Sequence, residues 1–287
     1  MRKVLVIGGT GFVGSHTSDA LSDAGYEVTI FDKIGSQWLR EDQKMIEGDI
    51  LNLDDLLSAC EGKDYVYHFA GIADINESKE NPSHTVEYNV LGTTNVTQAC
   101  NAKAVKRLIF ASTMYVYSPY GSFYRATKQA SESIIEVFHQ EFGLEYSFLR
   151  YGSLYGPRAQ NWNSIRRYAT QILNEGKIDY IGSGNERREY IHVIDAAKLS
   201  VKILENKYSN QAITVTGHQV MNSNEMMDMM FEISGKKKNI KYIDRDSDPD
   251  HYINTPYRFT PKTAIKLIPE EYFDLGQGIL EVIEEVS

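Results

Sequence analysis

The run from Lys3 to Asp32 constrains the fold more than any other stretch of this chain. Lys3-Val-Leu-Val-Ile7 is short, apolar and rich in β-branched residues, which predicts a buried strand. Gly8-Gly9-Thr10-Gly11-Phe12-Val13-Gly14 follows at once. Phe12, Val13, Ala20 and Leu21 then lie at helical spacing, Gly25 ends that helix, and a second apolar strand closes on Asp32. Strand, glycine turn, helix, strand and acid, in that order, is the context in which glycine spacing signals a dinucleotide. Gly8 permits the tight turn, Gly11 lets the backbone approach a pyrophosphate, and Gly14 lets helix and strand pack closely. The helix N-terminus offers unpaired N–H groups and partial positive charge to the phosphates. Asp32 can accept hydrogen bonds from an adenosine ribose and would repel a 2′-phosphate, which favours NAD over NADP.

The 287 residues suit one large α/β domain, or one domain with a small lobe. No apolar run approaches the roughly 20 residues of a membrane span, and a strand starting at Lys3 leaves no room for a signal peptide. Cys60 and Cys100 fall in separate helical segments far apart in sequence, so a reduced, cytoplasmic protein is expected. A net charge of −9 argues against nucleic-acid or anionic-membrane partners. A phosphorylated small substrate needs local basic residues against that background.

Strand and helix patterns alternate through the first half. Strands are predicted at 44–47, 65–69, 107–111 and 145–150. Helices are predicted at 53–60 behind Asn52, at 83–101 and at 124–142, with a polar loop before Pro82. This predicts a Rossmann-type, doubly wound parallel sheet of the α/β class, over residues 1–151. Segments at about 187–215 return to it, and 152–287 form mainly a smaller C-terminal α/β substrate lobe. In that second part 152–158 reads as a loop, 162–174 as a helix and 186–191 as extended. Asp195 is read as capping a helix that runs to about Asn206. A strand at 212–215 and helices at 223–233 and 274–286 follow. Met226-Met-Asp-Met-Met230 reads as core packing and Lys236-Lys-Lys238 as a solvated loop.

The chemistry is expected between Ala111 and Lys128. Ser112-Thr113 ends a strand, and Tyr124 and Lys128 stand four apart at the start of a helix, on one face. Among 19 tyrosines this is the one followed four places later by lysine. A tyrosine must drop by ~3 pKa units, or ~4 kcal/mol, to act as a base near neutrality. An ammonium at roughly 5–6 Å supplies ~3 kcal/mol at an effective dielectric of about 20, and an oxidised nicotinamide adds to it. Thr113 can then hold a substrate hydroxyl in line with Tyr124.

These motifs resemble the extended short-chain dehydrogenase/reductases, specifically the NAD-dependent sugar-nucleotide epimerase/dehydratase family, over nearly the whole chain. The resemblance implies that Gly8, Gly11, Phe12, Val13, Gly14, Asp32, Asp49, Ile50, Phe69, Ala70, Gly71, Asn89, Tyr124, Lys128 and Tyr151 hold NAD. It implies catalysis by Thr113, Tyr124 and Lys128. It implies a nucleotide-sugar substrate held by Thr113, Tyr124, Ser153, Arg158, Arg188 and Arg258, and no metal. It also implies a homodimer through the 83–101 and 124–142 helices. The dehydratases of the family carry acids after the catalytic threonine, where this chain has Met114 and Tyr115. The related decarboxylases usually carry one at the Tyr115 position. Both reactions are therefore disfavoured. Where the family often has a bulky residue and then an asparagine that grips the diphosphate, this chain has Gly152 and Ser153, which are expected to leave room in the pocket.

Three functions stay open on the sequence. The first is C4 epimerisation through a transient 4-keto sugar, with Tyr124 as base. The second is NAD(P)H-dependent reduction of a 4-keto sugar nucleotide, with Tyr124 as acid. The third is a non-catalytic NAD-binding scaffold, against which the intact Thr113, Tyr124 and Lys128 speak.

Overall fold

Apolar residues run unbroken through the central strands because helices cover both faces of the sheet. The computed structural model describes residues 1–217, 220–244, 251, 253, 254 and 256. Its first elements are β1 (Lys3–Ile7), α1 (Phe12–Asp23), β2 (Glu27–Asp32), β3 (Gln43–Glu47), α2 (Leu53–Cys60) and β4 (Tyr65–His68). Then come α3 (Ile75–Glu80), α4 (Pro82–Val86), a π turn at Glu87–Leu91, α5 (Gly92–Ala102), β5 (Arg107–Thr113), α6 (Ser122–Phe142) and β6 (Glu145–Tyr151). The second part comprises β7 (Ser153–Tyr155), α7 (Ser164–Glu175), β8 (Ile178–Ile181), β9 (Arg187–His192), α8 (Val193–Lys202), β10 (Gln211–Val215), β11 (Val220–Asn222), α9 (Ser223–Ser234) and β12 (Ile240–Ile243).

Seven strands form one parallel sheet in the order β10-β6-β5-β4-β1-β2-β3. Side chains alternate across it. Leu5 and Ile7 pack with Val66, Leu108 and Phe110 on one face, and Val4 and Val6 with Val28, Ile30 and Leu149 on the other. Each such fully buried aliphatic contributes ~1.5–3 kcal/mol. The order reverses between β1 and β4, so the crevice beyond their carboxyl ends is the ligand position of this fold. The chain returns to the sheet late: α8 packs on α1 and β10 pairs with β6. The second lobe is made of the β11-β9-β7 sheet and the β12-β8 pair. Between α7 and α9 it encloses Tyr168, Ile172, Ile178, Tyr180, Met226, Met227 and Phe231.

Several sequence expectations are corrected. The polar stretch before Pro82 contains α3, capped by Asp74 and buried through Ile75 and Ser78. The helix expected at 83–101 is present as a continuous helical run over 82–102, but it contains a π turn that the sequence reading did not foresee, from which Tyr88 bonds Asp49 while Asn89 bonds Ile72 and Thr127. The loop expected at 152–158 contains β7, which pairs with β9. The cap of α8 is His192, which accepts from the Ile194 N–H, and the helix ends at Lys202. Met226 and Met227 are core, but Met229 is exposed. Cys60 on α2 and Cys100 on α5, distant in sequence, are fully buried in one cluster as free thiols. Burial, with the Cys60 thiol alongside, pushes the Cys100 thiol well up. The helix expected at 274–286 lies outside the described residues.

His68, at the end of β4, is fully buried against Phe110. Thr93 Oγ1 lies 2.6 Å from the Asn89 carbonyl, to which it donates, so His68 Nε2–H donates to Thr93 Oγ1 at 3.0 Å. Burial, with Lys128 nearby, holds this imidazole down at about 3. The unfolded chain takes up that proton near pH 6.5 and the native state only near 3, so stability falls as pH drops through this window. The expected loss is ~2 kcal/mol by pH 5 and ~5 kcal/mol in full. Urea unfolding of wild type and His68→Gln at pH 7.5 and 5 measures it: the variant should lose ~2 kcal/mol less, and equal losses would rule out His68 as the source.

Candidate active site

The carboxyl ends of β1, β2, β4, β5 and β6 open into one cavity of about 720 Å³, whose far wall belongs to the second lobe. Gly8, Gly11, Phe12, Val13, Gly14, Asp32, Ile50, Phe69, Ala70 and Gly71 line its first half. In two places the glycine turn packs directly on backbone, leaving no space for a side chain. A Cβ on Gly8, at φ +81°, would lie 2.4 Å from Ala70 N, and one on Gly14 would lie 2.1 Å from the Gly8 carbonyl oxygen. Asp32 Oδ2 accepts from the Thr10 hydroxyl at 2.6 Å and from its N–H at 3.1 Å, which holds the carboxylate at the mouth of the turn. A bare backbone cradle, an N-terminal helix end and an oriented carboxylate fit the pyrophosphate and ribose of NAD.

Asp49 and Asn89 stand behind this wall. Asp49 pairs with Lys33 at 3.1 Å and accepts from Tyr88 at 3.2 Å. Burial pushes its carboxyl up, but the bonds from the Leu51 N–H, Lys33 and Tyr88 outweigh that and leave it low. Buried Asn89 accepts from the Ile72 N–H at 2.7 Å and donates to the Ile72 carbonyl at 2.9 Å and to Thr127 Oγ1 at 3.0 Å. It braces the loop after β4 against α6.

The other half holds Thr113, Tyr124, Lys128, Tyr151, Ser153 and Arg188. Gly121 in the left-handed region and the first turn of α6 bring Tyr124 and Lys128 beneath the end of β5. Lys128 Nζ donates to the Ala111 carbonyl at 2.8 Å, lies 4.5 Å above the Phe110 ring, and stands 6.0 Å from the Tyr124 ring centre. Burial lowers its ammonium to about 8, with Glu132 pulling it back up. Holding that charge at pH 7 costs ~3 kcal/mol. Lys128→Met is therefore expected to be ~2 kcal/mol more stable at pH 7, after ~1 kcal/mol for the lost hydrogen bond, and less active. A urea midpoint below wild type would contradict this.

Ser112 is drawn the other way, donating to Glu132. Glu132 takes a bidentate pair from Arg150 at 2.9 and 2.6 Å, and Arg150 also donates to Tyr117. This network anchors β5, β6 and α6 and commits the Ser112 hydroxyl to Glu132, while Thr113 beside it lines the cavity. Tyr151 lines the cavity with its ring while its hydroxyl bonds Ser200 at 2.6 Å; burial pushes that phenol above its ordinary range.

Two expectations change here. Arg158 pairs with Asp19 at 2.8 Å and lies over the Trp38 ring, outside the cavity lining. The space beside Gly152 is filled by Thr216, whose Cγ2 would sit 2.6 Å from an added Cβ, so this glycine answers packing and opens no room. Arg258 lies outside the described residues. The sequence reading missed Tyr115, Trp162, Arg167 and His251 on the second half of the cavity. The paired Arg166-Arg167 on amphipathic α7 was the one available signal.

Fold and site together define an extended short-chain dehydrogenase/reductase with an NAD site. The sequence pattern of the NAD dependent epimerase/dehydratase family matches residues 4–216, and the chain belongs to that family. It is 28% identical over 272 residues to a UDP-glucuronate 4-epimerase of Thermodesulfobacterium geofontis, covering 85% of this chain and 84% of the relative. It is 25% identical, over an alignment of 312 positions including gaps, to a UDP-N-acetyl-alpha-D-glucosaminuronate decarboxylase of Bacillus cytotoxicus, covering 99% of this chain and 97% of the relative. Among solved structures, the Thermus thermophilus UDP-glucose 4-epimerase complex with NAD superposes with a TM-score of 0.80 at 26% identity, over 91% of each chain. Family and cofactor follow from these likenesses; relatives with different reactions leave the chemistry to the site.

Proposed function

We propose that the protein is an NAD-dependent sugar-nucleotide 4-epimerase. The observation that carries this reading is that Thr113, Tyr124 and Lys128 line the same cavity as the glycine turn, with Arg167 and Arg188 on its second-lobe wall. When bound, NAD supplies the hydride acceptor and donor for reversible oxidation of a sugar carbinol. Thr113 Oγ1 orients the C4 hydroxyl, and Tyr124, as phenolate, takes its proton. Lys128 favours that phenolate by ~3 kcal/mol at an effective dielectric of about 20. Tyr124 returns the proton once the transient ketone has turned and been reduced on its other face. Arg167 and Arg188 supply the positive charge a diphosphate needs in an acidic chain.

The carboxylates on the cavity wall, among the described residues, speak against dehydration. Asp32 serves the ribose end, Asp74 caps α3 at 2.9 Å from the Asn76 N–H, and Glu186 accepts from the Ser183 and Gly184 N–H groups and Tyr180. Met114, first in the turn after Thr113, is buried. No helix among the described residues is long and apolar enough to cross a membrane. We also read the exposed Val86, Leu91, Val137 and Phe142 on α4, the π turn and α6 as a homodimer face in a cytoplasmic enzyme.

The test is to purify the protein, release and quantify its NAD, and incubate it with UDP-, GDP- and dTDP-sugars without added cofactor, following products by NMR. Epimer formation is expected. Turnover only with added NAD(P)H and a 4-keto sugar would make it a reductase, and inertness toward the whole panel would refute the proposal.

A further inference from the structure

Tyr115 and His251 meet across the sugar half of the cavity, although neither belongs to the Thr113-Tyr124-Lys128 set. Tyr115 stands two residues after Thr113, in a 3-10 turn whose N-cap is Thr113 itself: the Tyr115 N–H donates to Thr113 Oγ1 at 3.2 Å. Its ring lies edge-on to Tyr124, with centres 6.2 Å apart. Gly121, at φ +102°, leaves the space the ring occupies, since a Cβ there would lie 2.6 Å from Tyr115 Cδ1. The Tyr115 hydroxyl is 2.6 Å from His251 Nδ1. His251 arrives from the second lobe, where the nearby Ile253 carbonyl accepts from the Arg187 N–H at 2.8 Å and from Arg188 Nη1 at 3.1 Å. The pair thus links the turn that carries the catalytic threonine to the strand that carries Arg188.

A phenol hydroxyl is donor and acceptor at once, so the bond to His251 does not exhaust its capacity. A sugar hydroxyl has the same dual character; a carboxylate can only accept. We propose that Tyr115 binds a second hydroxyl of the substrate sugar, next to the one Thr113 and Tyr124 handle, and that His251 is the positioning residue that aims it. The site then selects a hydroxyl-bearing hexosyl group and holds its ring in register. This rests on the sugar-nucleotide reading above.

The test is a cycle between protein and ligand hydroxyls, run on NAD-loaded protein with calorimetric dissociation constants for UDP-glucose, its 2-, 3- and 6-deoxy analogues, and UDP. In wild type, one deoxy analogue should bind about 5–50-fold more weakly than UDP-glucose. In Tyr115→Phe that difference should vanish, while UDP affinity and bound NAD stay within twofold of wild type. His251→Ala should weaken UDP-glucose as Tyr115→Phe does, the double variant should be no weaker than either single one, and His251→Asn should restore part of the loss. Undiminished discrimination of all three analogues in Tyr115→Phe would overturn the proposal, and so would failure of wild type to bind UDP-glucose. Tight, Tyr115-dependent binding without turnover would instead refute the epimerase reading and leave this one standing.

Discussion

Replacing Tyr124 by Phe is expected to lower turnover by about 10²–10⁴-fold while the protein stays folded and NAD stays bound. The change removes one oxygen. The ring keeps its edge contact with Tyr115, and Lys128 keeps its bond to the Ala111 carbonyl. On the proposed function, what is lost is the group that takes and returns the hydroxyl proton, with the proposed substrate contact of Thr113 still in place. The kinetic signature is therefore a fall in kcat with little change in KM, as for an interaction made in the transition state. Product formation followed by NMR, beside NAD released on denaturation, measures both halves. A Tyr124→Phe enzyme within threefold of wild type, or one that has lost its NAD, would remove Tyr124 from the proton-transfer role.

Local patterns were legible in the sequence, and contacts between distant segments were not. Strands β1, β2, β5 and β6 stood out because burial on both faces demands near-continuous apolar runs, interrupted only by Thr29 in β2 and Ser147 in β6, and the glycine spacing needs only seven residues to show itself. The cap at Asn52 is equally local and stands where expected, and α6 ends at Phe142, the bound expected for its helix, with Gly143 in the left-handed region behind it. The π turn was not legible, because it is set by what Tyr88 and Asn89 reach on other elements. Short β7, β8, β11 and β12 exist only through their pairings. Tyr115 and His251 lie 136 positions apart, and no periodicity links them. Arg158 shows the opposite hazard. A basic residue near a family motif invites a substrate role, yet a carboxylate on α1 stands nearer.

The glycine turn yields the other large effect, because its glycines serve different ends. Gly14 and Gly8 are required by the chain itself: each added Cβ would meet backbone at 2.1 and 2.4 Å. Gly14→Ala is therefore expected to cost the fold several kcal/mol, as overpacking against backbone that cannot yield. Gly11 differs. Its φ of −75° and ψ of 178° suit any residue, and an added Cβ meets only the Gly8 carbonyl oxygen, at 3.3 Å. Nothing in the fold demands glycine there; its bare α-carbon lines the cavity at the N-terminus of α1, where we propose that the pyrophosphate comes closest. Gly11→Val should thus lose only ~1 kcal/mol of stability as a poorer N-cap. Its NAD affinity should fall by 100-fold or more and take the activity with it. Thermal melts with NAD titration separate the two glycines: Gly14→Ala melts early, whereas Gly11→Val melts near wild type and gains nothing from added NAD. A Gly11→Val protein that binds NAD and turns over normally would place the pyrophosphate elsewhere, and with it every distance by which Tyr124 and Lys128 are matched to the cofactor.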